Sequence, residues 1–178
     1  SSAFISVIPN TWQFTEVTLD AGINHSHGYL PQDIDDTDPS YERILQGAGV
    51  ASGDYDQDGW IDLYVTRGSI GPNLLYRNLG NGSFVDMAES AGVALDGRKD
   101  AGATFADVDG DGWPDLFIGG VNGTKARLYR NKQNGTFENI TSQAGLAQID
   151  NSFSASFADY DKDGDLDLYL AHWNDADQ

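Results

Sequence analysis

Three acidic loops with the same pattern contain the residues of this sequence that are best suited to chemistry. Each loop reads Asp-x-Asp-x-Asp-Gly-x-x-Asp, and the copies begin at Asp54, Asp107 and Asp159. Alternate side chains of such a tight loop point toward one centre, where they could supply several of the about 6–8 oxygen ligands that calcium takes. Without a cation, two carboxylates about 4 Å apart repel each other by about 4 kcal/mol near a protein surface. The pattern therefore predicts three calcium sites, one in each loop.

The predicted ligands of each site are the carboxylates at loop positions 1, 3, 5 and 9 and the backbone carbonyl at position 7. They are Asp54, Asp56, Asp58, Trp60 and Asp62 in the first loop, Asp107, Asp109, Asp111, Trp113 and Asp115 in the second, and Asp159, Asp161, Asp163, Asp165 and Asp167 in the third. Glycine at position 6 permits a turn of the backbone that a side chain would obstruct.

The main alternative for such a loop is an EF-hand, which has the same residues at positions 1, 3, 5 and 6. An EF-hand also requires glutamate at position 12 and a helix on each side. Position 12 is Val65, Ile118 or Leu170 in the three copies, and each of these residues lies in a strand-like pattern. Magnesium is less favoured than calcium as the bound ion, because it prefers to keep its waters.

The acidic loops recur every 52 or 53 residues, in phase with a second motif. This second motif, Leu-Tyr-Arg-Asn followed by Asn-Gly-x-Phe, occupies residues 75–84 and 128–137. The central copy contains strand-like segments at 101–106, 116–119, 126–131 and 137–140. The Asn-Gly pair predicts a hairpin between the last two segments, and four strands in each copy match one blade of a β-propeller. The predicted fold class is therefore all-β, with β-propeller-type blades of four antiparallel strands and about three blades present.

We expect residues 1–178 to form a single repeat domain. The predicted segments are the end of a preceding blade at 12–23, an insertion loop at 24–46, a blade at 48–94, a second blade at 101–147 and the start of a further blade at 153–178. Because a propeller closes with at least about four blades, we expect part of a longer chain, a ring completed by neighbouring chains, or an open repeat array. The N-terminal residues have no secretory signal pattern, which predicts an untargeted or a processed chain.

The composition excludes several classes of function. Acidic residues number 28 against 10 basic ones, for a net charge of −18, so the chain should repel nucleic acids and anionic membrane surfaces. Cysteine is absent, which excludes disulfides, thiolate nucleophiles and cysteine-bound metals. No apolar run approaches the roughly 18 residues of a membrane span. The sequence also has no nucleophile elbow, phosphate loop or dinucleotide fingerprint, so it is predicted not to be an enzyme.

Other polar residues form weaker candidate sites. Five Asn-x-Ser/Thr sequences are candidate glycosylation sites, at Asn24, Asn81, Asn122, Asn134 and Asn139. In the alternative interpretation, the Asn-Gly pairs at two of them are simply hairpin turns. The pair His25 and His27 could bind a metal from one side of a strand, but a surface loop is the favoured interpretation.

The sequence of the repeat resembles that of a known family. The acidic loop followed by Asp-Leu-Tyr/Phe and an aliphatic residue resembles the FG-GAP-like (VCBS-type) repeats of integrin α-subunit propellers. The Leu-Tyr-Arg-Asn and Asn-Gly-x-Phe segments most resemble the secreted cartilage-acidic-protein type and its bacterial relatives. The resemblance covers residues 48–178 well and 12–23 weakly. It implies a β-propeller with calcium in the loop between the first two strands of each blade, and an extracellular or periplasmic location.

These features together predict an extracellular, secreted or cell-surface, calcium-binding repeat module with a structural or adhesive role. Calcium would stabilise an array of blades whose rim binds a protein or matrix partner, in one chain or within a fibre or multi-chain assembly. The alternative is a glycan-binding domain, or an accessory propeller domain of a polysaccharide-active enzyme. That alternative rests on Trp12, Trp60, Trp113 and Trp173 as stacking platforms.

Overall fold

The computed structural model of the chain describes residues 5–8, 13–30 and 48–172. Most of the predicted insertion loop, together with Trp12 and Trp173, lies outside these ranges. The first two strands, β1 (Ile5–Ile8) and β2 (Gln13–Glu16), pair antiparallel with each other. Within the described ranges, no helix has the length and apolar character needed to cross a membrane.

The first four-stranded sheet contains β3 (Val50–Gly53), β4 (Asp62–Val65), β5 (Leu74–Asn78) and β6 (Phe84–Asp86). The strands pair antiparallel in sequence order, β3-β4-β5-β6. One short helix, α1 (Ala88–Ala91), follows the sheet and ends at Gly92, whose φ of 79° is left-handed. The chain thus makes a simple meander, as local hairpin turns require.

The second four-stranded sheet repeats this arrangement with β7 (Asp100–Ala106), β8 (Asp115–Gly120), β9 (Arg127–Asn131) and β10 (Phe137–Asn139). A third sheet contains β11 (Ser152–Ala158) and β12 (Asp167–His172), again antiparallel. The predicted fold class is confirmed: the protein is nearly all-β, and its four-stranded antiparallel sheets are propeller-like blades that do not form a closed ring within the described ranges.

The first strands of consecutive sheets lie side by side and approach each other closely at glycine positions. A Cβ atom at Gly49 would overlap the carbonyl oxygen of Ala101, and one at Gly102 would overlap the carbonyl oxygen of Phe153. The Thr66 hydroxyl donates to the same Ala101 carbonyl at 2.6 Å. Glycine therefore sets the spacing of β3, β7 and β11, because these positions leave no room for a side chain.

Strand β8 is buried on both of its faces, which explains its continuous apolar run. Leu116 and Ile118 pack in one cluster with Tyr64 of the first sheet. Phe117 points the other way and contacts Phe157 of the third sheet, with ring centroids 6.3 Å apart. Burying side chains of this size stabilises the fold by about 1.5–3 kcal/mol each. The second sheet is therefore the central layer between its two neighbours.

A buried polar network also joins the first two sheets. The Asn73 amide donates to Asp100 Oδ2 at 2.7 Å and to the Tyr64 hydroxyl at 3.0 Å. That hydroxyl donates to the Val93 carbonyl at 2.7 Å, and Arg98 forms a 2.9 Å ion pair with Asp100. Burial raises the pKa of Asp100, while Arg98 and the hydrogen bonds oppose this shift. Each of these buried polar groups has a partner, as a stable interior requires.

Candidate metal centre

Each acidic loop joins the first two strands of its sheet. The loops follow β3, β7 and β11 and lead into β4, β8 and β12. The last residue of each first strand pairs with the aspartate at loop position 9: Gly53 with Asp62, Ala106 with Asp115 and Ala158 with Asp167. An antiparallel strand pair therefore holds both ends of the loop, and this brings its aspartates to one end of the sheet.

The aspartate at position 1 organises the backbone of its loop. Asp54 Oδ1 accepts a hydrogen bond from the Asp58 N–H at 3.1 Å, and Asp54 Oδ2 accepts one from the Gly59 N–H at 2.9 Å. The same two bonds form in the other loops, with Asp107 and Asp159 as acceptors. The position 6 glycines have φ values of 92°, 90° and 101°, in the left-handed region where a side chain would be strained.

In the first two loops the aspartate at position 9 differs from the others, because it also accepts a backbone hydrogen bond from the third strand of its sheet. In the first loop, Asp62 accepts from the N–H groups of Tyr55 at 3.1 Å and Asn78 at 2.8 Å. Burial raises the pKa of Asp62 to about 6, although the two N–H groups oppose the shift. Asp115 is buried in the same way and has a raised pKa, whereas Asp167 is exposed.

Carboxylate oxygens converge in each of the three loops. Three aspartates of each loop place one oxygen each within 4.8 Å of the others: Asp54, Asp56 and Asp58; Asp107, Asp109 and Asp115; and Asp159, Asp161 and Asp167. Three of the four predicted carboxylates of each loop therefore come together. The predicted ligands Asp62, Asp111 and Asp163 lie outside their groups.

The predicted carbonyl ligands at position 7 differ in their surroundings. Trp60 is 51% exposed, and its indole lies against Gly80 in the turn between β5 and β6. Trp113 is half-buried and Asp165 is exposed. A donor set of several carboxylates and a backbone carbonyl contains only hard oxygen atoms, and this chemistry fits calcium better than a softer transition metal.

Comparison with known proteins identifies the repeated unit. The family model of the FG-GAP-like repeat matches residues 54–118 and 107–170, so each match begins at position 1 of one acidic loop and ends in the strand after the next loop. The chain belongs to the FG-GAP-like repeat family. The resemblance drawn from the sequence motifs is thereby confirmed.

Curated proteins with similar sequences include cartilage acidic protein 1 from several vertebrates. The chain is 30% identical over 130 residues to the Xenopus tropicalis protein, which covers 72% of this chain and 20% of that protein. Identity to the Homo sapiens protein is also 30% over 130 residues, covering 72% of this chain and 19% of the relative. The Mus musculus protein is 38% identical over 87 residues, or 49% of this chain and 13% of the relative. The chain thus spans a fifth or less of the length of these relatives.

Sequence reasoning missed the residues within the second motif, at 75–84 and 128–137, that contact the acidic loops of these FG-GAP-like repeats. Arg77 forms ion pairs with Asp56 at 2.5 Å and with Asp58 at 2.8 Å. In the second sheet, Gln133 donates to Asp111 Oδ2 at 2.9 Å. The signal available in the sequence was the phase of this motif, which recurs with the acidic loops and so predicts a fixed spatial relation to them.

Asn131, from the same motif, links the second sheet to the first acidic loop. Its amide donates to the carbonyl oxygen of Tyr55 in that loop at 2.8 Å and to that of Pro114 at 3.1 Å. Its Oδ1 accepts from the Gln133 N–H at 2.9 Å. The equivalent residue of the first sheet, Asn78, donates within its own sheet. Asn131 therefore connects neighbouring FG-GAP-like repeats at the edge where the acidic loops lie.

The substitution Asn131→Ala is expected to lower the free energy of unfolding by about 2 kcal/mol, because two carbonyl groups lose their donor at a buried position. Asn78→Ala is the matched control, and it should cost about 1 kcal/mol since Asn78 is half-buried and joins no second sheet. Urea denaturation of both variants measures the difference. Equal losses would contradict a role of Asn131 between the sheets.

The remaining candidate residues are spread over the surface. All five asparagines of the candidate glycosylation sites are exposed: Asn24, Asn81, Asn122, Asn134 and Asn139. The ring of His25 lies near that of Tyr76, with centroids 5.9 Å apart, and burial together with Arg67 lowers the pKa of His25. Within the described ranges, neither His25 nor His27 belongs to the three groups of converging carboxylates that could hold a metal ion.

Proposed function

We propose that this chain is an extracellular calcium-binding repeat module with a structural or adhesive role. The observation that carries the proposal is the convergence of three carboxylates in each of three equivalent loops, with oxygens within 4.8 Å of one another. The proposed ligands are the side chains at positions 1, 3, 5 and 9 and the carbonyl at position 7. FG-GAP-like repeats and similarity to cartilage acidic protein 1 support an extracellular location.

Calcium would supply the positive charge that these loops lack. Three filled sites would change the formal charge from −18 by six units. Hydrogen bonds within the chain already order the loops. The carboxylate at position 1 fixes the backbone of the loop, and the carboxylate at position 9 connects the loop to the second strand. Neighbouring loops are also in contact, since the Gln57 amide donates to the Gly112 carbonyl. Calcium would therefore stabilise the edge of the array as well as single loops.

The position of the acidic loops at one end of each sheet supports a structural or adhesive role. The carboxylates of the loops bond to backbone N–H groups and to Arg77, and we propose that they serve binding and not catalysis. We further propose that 48–94 and 101–147 are successive blades, with 12–23 and 153–178 as parts of adjoining ones. The rim formed by the loops would face a protein or matrix partner, and the exposed asparagines would be available for glycosylation.

Glycan binding is the second candidate function. Trp60 favours it, because half of its surface is exposed at the rim and a flat indole can stack on a sugar ring. Trp113 is half-buried, so the described residues offer one exposed indole and no extended platform. The calcium-binding structural role is therefore preferred.

Calorimetric titration with calcium tests the proposed function. Three ions are expected to bind each chain, and Asp107→Asn should reduce this to two, because position 1 then carries a neutral side chain in the second loop. Asp96→Asn is the matched control, since Asp96 is exposed and lies outside the loops. It makes the same change of charge and should leave three ions bound. Absence of binding, or three ions bound by Asp107→Asn, would contradict the proposal.

A further inference from the structure

Two arginines occupy the same position of the repeated motif but have different partners. Arg77 on β5 forms ion pairs with Asp56 and Asp58 of the first acidic loop. Arg130 on β9 instead forms an ion pair with Glu138, with its Nη2 2.7 Å from Glu138 Oε2. The first loop therefore has an internal cation in contact with it, whereas the arginine of the second sheet pairs with a residue outside the loop.

The residue across the strand pair also differs between the two arginines. Arg130 lies directly opposite Glu138 on β10, and Arg77 lies directly opposite Val85 on β6. Opposite charges at such cross-strand positions attract each other, which favours the ion pair between Arg130 and Glu138. Val85 offers no charge, and the Arg77 guanidinium reaches the loop carboxylates instead. The different partners of the two arginines thus accompany a substitution at the cross-strand position.

The arrangement of the carboxylates agrees with this difference. In the first loop, the three oxygens that converge belong to positions 1, 3 and 5, the last two being the partners of Arg77. In the second loop the converging set contains position 9 in place of position 5. There, Asp111 at position 5 accepts from the neutral amide of Gln133. Carboxylates at positions 3 and 5 therefore converge with position 1 in the loop that has the arginine.

We infer that Arg77 is a built-in counter-ion that competes with calcium, so that the first loop binds calcium more weakly than the second loop does. This inference rests on the proposed function. Its physical basis is that the guanidinium occupies oxygens of two carboxylates that calcium would need as ligands. Calcium can bind there only when these ion pairs break, whereas the ion pair between Arg130 and Glu138 uses no loop carboxylate.

The expected difference in affinity is about five- to tenfold, as for one or two partly exposed ion pairs that must be broken. Arg77 is 37% exposed, and Asp56 and Asp58 are 17% and 25% exposed, so water screens the interaction in part. The two loops would then fill at different calcium concentrations. The first loop would bind calcium over a higher range of calcium concentration, in which the second loop is already occupied.

Terbium luminescence in the full chain tests the inference, because terbium replaces calcium at oxygen sites and is excited through a nearby indole. The Trp113→Phe variant retains the luminescence of terbium bound in the first loop, which is excited through Trp60. The Trp60→Phe variant retains the luminescence of terbium bound in the second loop, which is excited through Trp113. In these backgrounds, Arg77→Gln should strengthen binding to the first loop about five- to tenfold. Arg130→Gln is the matched control and should change binding to the second loop less than about twofold, because Glu138 already holds Arg130.

Glu138→Val provides an independent test, since it gives the second sheet the cross-strand residue of the first. It should release Arg130 toward the acidic loop and weaken terbium binding there about fivefold. Equal effects of Arg77→Gln and Arg130→Gln on their loops, or no effect of Glu138→Val, would overturn the role of the arginines alone. Terbium binding at neither loop would overturn the proposed function itself.

Discussion

Removal of calcium with a chelator is expected to lower the midpoint of thermal unfolding by more than about 10 °C. An ion that binds only the folded state at a hundredfold excess over its Kd adds about 2.7 kcal/mol to the free energy of unfolding for each site. In a domain of this size, 1 kcal/mol corresponds to about 2–4 °C. Three filled loops therefore predict a large shift, which scanning calorimetry with and without EDTA measures.

The triple variant Asp54→Asn, Asp107→Asn and Asp159→Asn is the control for this experiment. It retains a side-chain oxygen at position 1, which can still accept a backbone hydrogen bond as Asp54 does, but each loop loses one negative charge. Its unfolding midpoint should hardly respond to EDTA. An unfolding curve of the unmodified chain that stays the same after chelation would contradict calcium binding to the folded loops.

The substitution Gly102→Ala is expected to lower the free energy of unfolding by about 3 kcal/mol. Gly102 lies in β7 where the backbone of β11 passes directly over it, and an added Cβ would overlap the Phe153 carbonyl oxygen. Because that oxygen belongs to the backbone, no side chain can rotate to make room. The two strands would have to separate, and contacts between the second and third sheets would loosen, including that of Phe117 with Phe157.

Gly28→Ala is the matched control for Gly102→Ala. A Cβ at Gly28 would meet Ile70 Cγ2 at 3.4 Å, which is close to ordinary van der Waals contact with a side chain. The cost should be below about 1 kcal/mol, as is usual where no tight packing is disturbed. Urea denaturation of both variants gives the comparison. Similar values for the two would mean that the spacing of the first strands does not depend on Gly102.

Much of the fold could be predicted from the sequence because its determinants are local and repeated. The apolar segment predicted at 116–119 is β8 (Asp115–Gly120), and the segment at 101–106 is β7 (Asp100–Ala106). The Asn-Gly pairs lie in the turns that follow β5 and β9, as the hairpin signal predicts. The pattern of the acidic loops also predicted that position 9 begins a strand. In the structure, Asp62 begins β4 and Asp115 begins β8.

The parts that the sequence did not predict depend on contacts between distant residues. The motif contains arginine in both copies, but Arg77 and Arg130 have different ion-pair partners and lie opposite different residues, Val85 and Glu138. The bond from Asn131 to Tyr55 spans 76 residues and exists only because two sheets pack side by side. Short-range patterns do not encode these relations. For this reason the predicted ligand sets were the same in all loops, whereas the observed groups of carboxylates differ.

The outermost strands of the two four-stranded sheets limit how these proteins can associate. β6 (Phe84–Asp86) and β10 (Phe137–Asn139) have three residues each, and they carry the acidic side chains of Asp86 and Glu138. A short, charged edge is a poor template for another chain to extend by hydrogen bonding, and natural proteins use such edges to avoid aggregation. Molecules of this kind can therefore be concentrated without the outer rims of their sheets fusing into continuous β-structure.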